Sequence, residues 1–233
     1  MSWPGTSPMA FPRDPAHALC VITDEVVSGR SHEALGEAAL RGGARFLQLR
    51  DKRGDLRRLL EAARTLVAAC REAGALLVIN DRLDLALAAG ADGVHLGQED
   101  LPAALARPLL GGSRMLGVST NRPEEAAAAE RDGADYLGAG PAYPTGTKER
   151  IRPVLGPQGL QAIRAATRLP ILAVGGITLE RVPEVLAAGA DGVAVIAAIV
   201  AAPDVAASTR AFLEVLAASY ARRGTGRGRQ KSC

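Results

Sequence analysis

The chain has 233 residues, of which 48% are hydrophobic and 3% aromatic, and its formal net charge is +3. This length and composition predict one domain with a substantial core. So few aromatic rings disfavour a single-stranded nucleic-acid binder, which stacks bases on such rings. The three cysteines have no metal-ligand spacing and are typical of a reducing compartment. Because no apolar run is long enough to span a bilayer, we expect a cytoplasmic protein with no membrane or nucleic-acid partner.

The two ends of the chain differ in composition from the rest. Residues 1–16 contain four prolines and predict a flexible N-terminal extension. Residues 221–233 alternate arginine and lysine with glycine, which predicts a disordered basic tail to which we assign no role. The single folded domain is therefore expected over residues 17–220.

Short apolar runs alternate with helical segments along this domain. Four of the runs follow a helix that ends on Gly-Ala-Arg or Gly-Ala-Asp, and a glycine after a helix is typical of a left-handed C-cap. The four patterns occupy residues 43–45, 90–92, 133–135 and 189–191. Four further runs complete the set of predicted strands: Leu19–Thr23, Leu76–Asn80, Met115–Ser119 and Pro170–Val174.

The segments between the strands have apolar residues at a spacing of three to four, which predicts about eight helices. Examples are residues 55–73, 123–132 and 179–188. Strict alternation predicts parallel strands, and eight such units close a (β/α)₈ TIM barrel in one α/β domain. An open doubly wound sheet is the alternative, but residues 24–29 lack the glycines of a dinucleotide-binding turn.

In such a barrel, functional residues lie at the C-terminal ends of the strands. Arg50, Lys52 and Lys148 would meet there from different strands, and three cations favour an anionic ligand. Asp81 and Asp100 offer hard oxygen ligands that suit Mg²⁺ better than zinc. A helix N-cap is the alternative role for Asp81.

The last two strands predict a second anion site. Gly175 and Gly176 precede Thr178 at the start of a helix, where bare amides suit a phosphate, and a tight turn without a ligand is the alternative. The loop of residues 144–148 would close over the mouth. His95 is predicted to line the barrel. Because no serine or cysteine with a base partner is evident, the set favours displacement of pyrophosphate or phosphate.

Six motifs in this order resemble those of the thiamine phosphate synthase family, over about Leu19 to Val200. They are QLRDK at 48–52, IND at 79–81, GVHLGQEDLP at 93–102, GVST at 117–120, PTGTK at 144–148 and AVGGI at 173–177. The resemblance implies a Mg²⁺-dependent transfer that joins 4-amino-2-methyl-5-hydroxymethylpyrimidine diphosphate to a thiazole phosphate, with or without an extra carboxylate. Pyrophosphate would leave first, so no protein nucleophile is needed.

The resemblance also implies a role for each matching residue. Those expected to hold the pyrimidine diphosphate are Gln48, Leu49, Arg50, Asp51, Lys52, Asn80, Ser119 and Lys148. Four of them, Arg50, Lys52, Ser119 and Lys148, are expected to be catalytic. Those expected to take the thiazole phosphate are Thr145, Gly146, Thr147, Gly176, Ile196 and Ala197. Asp81 and Asp100 would hold Mg²⁺.

One residue differs from the family pattern, and two other functions are alternatives to this assignment. Ala197 occupies a position where the family commonly has serine, so one hydroxyl contact is missing. The related thiazole tautomerase would not need the diphosphate and metal residues. A non-catalytic sensor of thiamine intermediates is a rival of another class, which retention of both metal carboxylates disfavours. The partners expected are small phosphorylated substrates, and homo-oligomerisation is left open.

Overall fold

The computed structural model describes residues 16–52, 54–146 and 152–227. Its eight strands are β1 (Leu19–Thr23), β2 (Phe46–Leu49), β3 (Leu76–Asn80), β4 (Gly93–Leu96), β5 (Met115–Thr120), β6 (Tyr136–Ala139), β7 (Ile171–Val174) and β8 (Gly192–Val195). Its α-helices are α1 (Glu25–Ser28), α2 (His32–Arg41), α3 (Leu56–Ala73), α4 (Leu83–Ala89), α5 (Ala103–Leu110), α6 (Pro123–Arg131), α7 (Gly156–Ala166), α8 (Val182–Ala187), α9 (Ala197–Val200) and α10 (Val205–Arg227).

The eight strands form a closed parallel barrel in chain order, which confirms the predicted (β/α)₈ fold. Each strand pairs with the next, and β8 closes the ring on β1, where Val21 is level with both Leu47 and Val195. The strand residues are almost all buried, because helices cover the outer face and side chains fill the interior. Among the described residues, no helix has the length and apolar character needed to cross a bilayer.

The repeated glycine patterns lie at the joints between helices and strands, as predicted. The glycine of every joint has a positive φ: 100° at Gly43, 70° at Gly90, 90° at Gly133 and 108° at Gly189. In each joint the alanine that follows donates its N–H to the carbonyl five residues earlier, which is the Schellman pattern that closes a helix. The glycine therefore supplies the left-handed residue that the motif requires.

The aspartate of three joints adds a further constraint. The carboxylates of Asp92, Asp135 and Asp191 accept the backbone N–H groups of Leu77, Leu116 and Ile171, at 2.7 to 2.9 Å. The aspartate N–H donates back to the carbonyl of the same residue in each case. Each Gly-Ala-Asp joint thus fixes the entry of its strand against the preceding strand at the N-terminal end of the barrel.

The helices differ from the sequence prediction in their detail. Short helices α1 and α9 follow β1 and β8, and both were missed because four residues are too few to show helical periodicity. The segment predicted as one helix over 179–188 divides into a 3₁₀ turn, Leu179–Arg181, and α8, which begins beside Pro183. Helix α10 runs to Arg227, into the segment predicted as a tail; residues 1–15 and 228–233 lie outside the described residues.

Gly90→Ala is expected to lower the free energy of unfolding by about 1–2 kcal/mol, because it places a Cβ on a left-handed residue. Space is not the reason, since the nearest atom to that Cβ would be 3.6 Å away. The matched control is Gly112→Ala, whose Cβ would meet nothing within 4 Å and whose φ is not left-handed. Urea unfolding of both variants is the measurement, and equal losses of stability would contradict the role of the joint.

Candidate active site

The polar residues at the C-terminal ends of β2 to β5 share one cleft in the mouth of the barrel. The cleft has a volume of about 200 Å³. Its lining includes Arg50, Lys52, Asn80, Asp81, Asp100 and Ser119. Gln48 lies deeper, in the barrel interior, where it is 4% exposed and faces the same side as Asn80 and Ser119. The structure therefore brings together seven residues that the sequence predicted for the diphosphate and metal sites.

Arg50 is held by a partner that sequence reasoning missed. Its guanidinium donates to a carboxylate oxygen of Asp24, and only 11% of the Arg50 side chain is exposed. The other Asp24 oxygen accepts the N–H of Val27 and caps α1. Asp24 directly follows β1, and this position was the signal available in the sequence. The ion pair fixes the orientation of the guanidinium and leaves further N–H groups for a ligand.

The carboxyl groups of Asp81 and Asp100 lie close enough to interact. Burial first, and then the neighbouring Asp100, raises the pKa of Asp81 to about 6. Lys52 opposes this increase, with its Nζ 3.9 Å from a carboxylate oxygen of Asp81. A carboxyl group with a raised pKa beside a second carboxylate favours a hard cation between the two, and this donor set fits Mg²⁺.

Asp81 is not a helix cap, so the alternative reading of this residue is wrong. Helix α4 begins at Leu83 with Arg82 in the cap position, and no side chain caps it. Asp81 instead has a left-handed backbone, with φ 63°, and donates its N–H to the carbonyl of His95. This strained conformation turns the carboxylate toward Asp100 and Lys52.

A chain of buried polar side chains supports the cleft from below. The two ring nitrogens of His95 lie 3.0 Å from the Ser119 hydroxyl and 3.0 Å from the Tyr136 hydroxyl. Burial raises the pKa of Tyr136, and the side chain of Gln48 opposes this increase. A Cβ at Gly117 would overlap both rings, so this glycine makes room for them. The predicted position of His95 in the barrel lining is confirmed, and its contacts orient Ser119.

The expectation that no serine has a base partner is wrong, because His95 lies beside Ser119. The contact spans β4 and β5, and spacing along the chain did not reveal it. The other nitrogen of His95 faces a buried phenol instead of a carboxylate. A neutral phenol does not stabilise an imidazolium as a carboxylate does, so the pair lacks the third member of a nucleophilic triad.

The second predicted site forms a smaller cavity of about 50 Å³ after β7 and β8. It is lined by Thr145, Gly176, Ile196 and Ala197, together with Gly175. Both glycines are left-handed, with φ 94° and 63°. A Cβ at either would approach the loop after β6 to within 2.8 Å, so packing alone requires these glycines whether or not a ligand binds.

The remaining predicted residues fall elsewhere. Gly146 and Asp51 line a third cavity, of about 370 Å³, next to Arg50 and Lys52. Leu49 packs into the core and is 1% exposed. Thr147 and Lys148 lie outside the described residues.

Two further residues, for which the sequence predicted no individual role, support the second cavity. The Arg181 guanidinium donates to the carbonyl of Gly176 at 2.5 Å and lies 4.4 Å from the centre of the Tyr143 ring. Tyr143 in turn donates its hydroxyl to Glu184. These contacts join the loop after β6 to the loop after β7, so they hold the two sides of the cavity together.

Comparison with known proteins gives one consistent family. The family described as thiamine monophosphate synthase matches residues 19–199. A thiamine-phosphate synthase of Methanospirillum hungatei is 48% identical over 199 residues, which are 85% of this chain and 97% of that protein. One of Moorella thermoacetica is 50% identical over 196 residues, 84% of this chain and 93% of that protein.

A solved structure agrees with the sequence relatives. The thiamine phosphate pyrophosphorylase of Pyrococcus furiosus has a TM-score of 0.81 and 38% identity, and the match covers 89% of this chain and 98% of that one. A 3-hexulose-6-phosphate synthase, at 22% identity and a TM-score of 0.62, shares the fold alone.

In the presence of a chelator, Asp81→Asn is expected to raise the thermal unfolding midpoint, and more so at pH 7.5 than at pH 5. The carboxyl titrates near pH 6 in the folded chain and near 3.8 when unfolded. The folded state therefore binds the proton more tightly than the unfolded state does. As the pH rises from about 4 to 6, ionisation of Asp81 lowers the free energy of unfolding, and the loss is complete above pH 6.

The control for this prediction is Asp84→Asn. Arg82 lowers the pKa of Asp84, so removing that carboxylate is not expected to stabilise the chain. Scanning fluorimetry at the two pH values measures both variants. If Asp81→Asn unfolds at or below the midpoint temperature of the parent chain at pH 7.5, the Asp81 carboxylate is not destabilised by its surroundings.

Proposed function

Because the chain belongs to the thiamine monophosphate synthase family, we propose that it is a transferase of thiamine biosynthesis that forms thiamine phosphate and releases pyrophosphate. Its substrates are 4-amino-2-methyl-5-hydroxymethylpyrimidine diphosphate and a thiazole phosphate. The observation that carries the proposal is the cleft in which Arg50, Lys52, Asn80 and Ser119 surround the Asp81 and Asp100 carboxylates. Cationic and neutral donors around a carboxylate pair suit a diphosphate and its metal ion.

The residues of the cleft bind and polarise the diphosphate. Arg50 presents the guanidinium N–H groups that Asp24 leaves free, and Lys52 adds a compact positive charge. Asn80 and Ser119 donate neutral hydrogen bonds, and His95 fixes the direction of the Ser119 hydroxyl. Asp81 and Asp100 would hold Mg²⁺, which when bound supplies charge neutralisation of the departing pyrophosphate. Donors fixed in advance stabilise this charge without reorganisation.

The order of bond changes in the proposal is dissociative. The C–O bond to pyrophosphate breaks first, and the thiazole nitrogen then forms the new C–N bond, so no protein nucleophile takes part. The arrangement of Ser119, His95 and Tyr136 supports this order, because it orients a hydroxyl without a carboxylate to activate it. The thiazole phosphate would occupy the cavity of Thr145, Gly176, Ile196 and Ala197. Lys148 and a cytoplasmic location stay predictions from the sequence.

With both substrates and Mg²⁺, the purified chain is expected to release one pyrophosphate for each thiamine phosphate formed. Neither substrate alone is expected to support release, because the cation left by pyrophosphate departure is captured by the thiazole nitrogen. A coupled pyrophosphate assay with detection of thiamine phosphate measures both products. Binding of both substrates without turnover would favour the sensor, and conversion of the thiazole phosphate alone would favour the tautomerase.

Asp100→Ala is expected to lower turnover at least tenfold at millimolar Mg²⁺ and to raise the Mg²⁺ concentration needed for half-maximal rate, because one hard ligand is lost. The control is Glu124→Gln, which removes an exposed carboxylate from α6, outside the cleft, and should leave the Mg²⁺ dependence unchanged. Mg²⁺ titrations of the initial rate compare the two variants. An unaltered Mg²⁺ dependence in Asp100→Ala would remove this residue from the metal site.

A further inference from the structure

A histidine outside the proposed diphosphate cleft has one ring nitrogen with no hydrogen-bond partner. His32 opens α2, is 2% exposed, and its Nε2 makes no hydrogen bond to any described residue. Its Nδ1 lies 2.8 Å from the hydroxyl of Thr23, and that hydroxyl also lies 3.4 Å from the carbonyl of Gln48. If the hydroxyl donates to the carbonyl, it must accept the Nδ1 proton. This assignment leaves a lone pair on Nε2.

The free nitrogen points at a carboxylate. His32 Nε2 lies 3.6 Å from Oδ2 of Asp51, in the loop after β2. That separation is too long for a hydrogen bond. Two ligands that bind one tetrahedral ion at about 2.1 Å each are roughly 3.4 Å apart. The separation of 3.6 Å therefore suits two ligands of one metal ion.

A third ligand comes from α1. The donor atoms of Glu25, His32 and Asp51 all lie within 4.8 Å of one another. One carboxylate oxygen of Glu25 accepts the backbone N–H of His32. Both Glu25 oxygens also accept hydrogen bonds from the guanidinium of Arg58, at 2.8 Å. The Arg58 side chain is 63% exposed, so it can move into solvent when a cation takes its place.

We propose that Glu25, His32 and Asp51 form a second metal site, for a borderline first-row cation such as Zn²⁺. One imidazole and two carboxylates suit such an ion, whereas Mg²⁺ prefers the all-oxygen pair of Asp81 and Asp100. The Thr23 hydroxyl is the partner that fixes the ligating tautomer of His32. Glu25 and Asp51 also line the 370 Å³ cavity, which gives the ion a path from solvent.

An ion at this site would join two segments of the mouth. Glu25 and His32 belong to the connection after β1, and Asp51 belongs to the loop after β2 that also carries Lys52. Binding to the folded chain alone raises thermal stability as the metal concentration rises above its dissociation constant. The site therefore has a stability readout that does not depend on catalysis.

The test uses the full chain, stripped with a chelator and dialysed into millimolar Mg²⁺ to occupy the proposed Mg²⁺ site. We expect one equivalent of Zn²⁺ per chain by equilibrium dialysis, and a rise in the thermal midpoint with added Zn²⁺. His32→Gln and Asp51→Asn should each weaken Zn²⁺ binding at least tenfold and remove the rise. His17→Gln, which alters a histidine outside the cluster, should leave Zn²⁺ binding unchanged.

Several outcomes would overturn the proposal. Absence of stoichiometric Zn²⁺ in the parent chain would mean that a proton occupies the gap between His32 and Asp51. Undiminished binding in both variants would place the ion elsewhere, and loss of binding in Asp81→Asn with retention in His32→Gln would assign it to the Asp81 and Asp100 pair. If His32→Gln does not fold, Asp51→Asn decides alone, because its amide oxygen still accepts the N–H of Gly54.

Discussion

The structure depends on the two-residue period of eight parallel strands closed into a ring. Alternate side chains point into the barrel, and the closure brings the last inward residue of every strand to one mouth. Gln48, Asn80 and Ser119 are such residues, on three different strands. A shift of one strand by a single residue would turn its functional side chain toward the helices. The register is therefore what makes a binding site from residues far apart in the sequence.

The barrel interior is polar near this mouth, and its polar groups satisfy one another. Tyr136, His95 and Ser119 form one hydrogen-bonded chain across three strands. Buried polar groups without partners are costly, so such a chain both stabilises the interior and fixes the direction of the last hydroxyl. Gly117 is part of the same arrangement, because a side chain there would displace both rings.

The mouth contains opposite charges at close range, and their pairing decides what each is free to do. Asp24 holds Arg50, whereas Lys52 is 3.9 Å from Asp81, whose carboxyl group lies beside that of Asp100. Arg50 is thus fixed in place, and the two crowded carboxylates carry more negative charge than one lysine offsets. The same reasoning applies to His32, whose Nε2 faces a carboxylate across a gap suited to a cation. At both places the proposed cation site rests on the same electrostatic argument.

The sequence alone determined the strands, the glycine joints, the barrel and the residues at the strand ends, because periodicity and left-handed glycines act over a few neighbouring residues. Only the tertiary structure decided which of those residues touch. Asp24 with Arg50 and His95 with Ser119 are more than twenty positions apart, and barrel closure creates their contacts. The role of Asp81 was likewise ambiguous in the sequence, since its φ of 63° and the hydrogen bond from its N–H to His95 on β4 arise only in the folded chain. Local patterns encode elements, whereas a site is a set of distances between them.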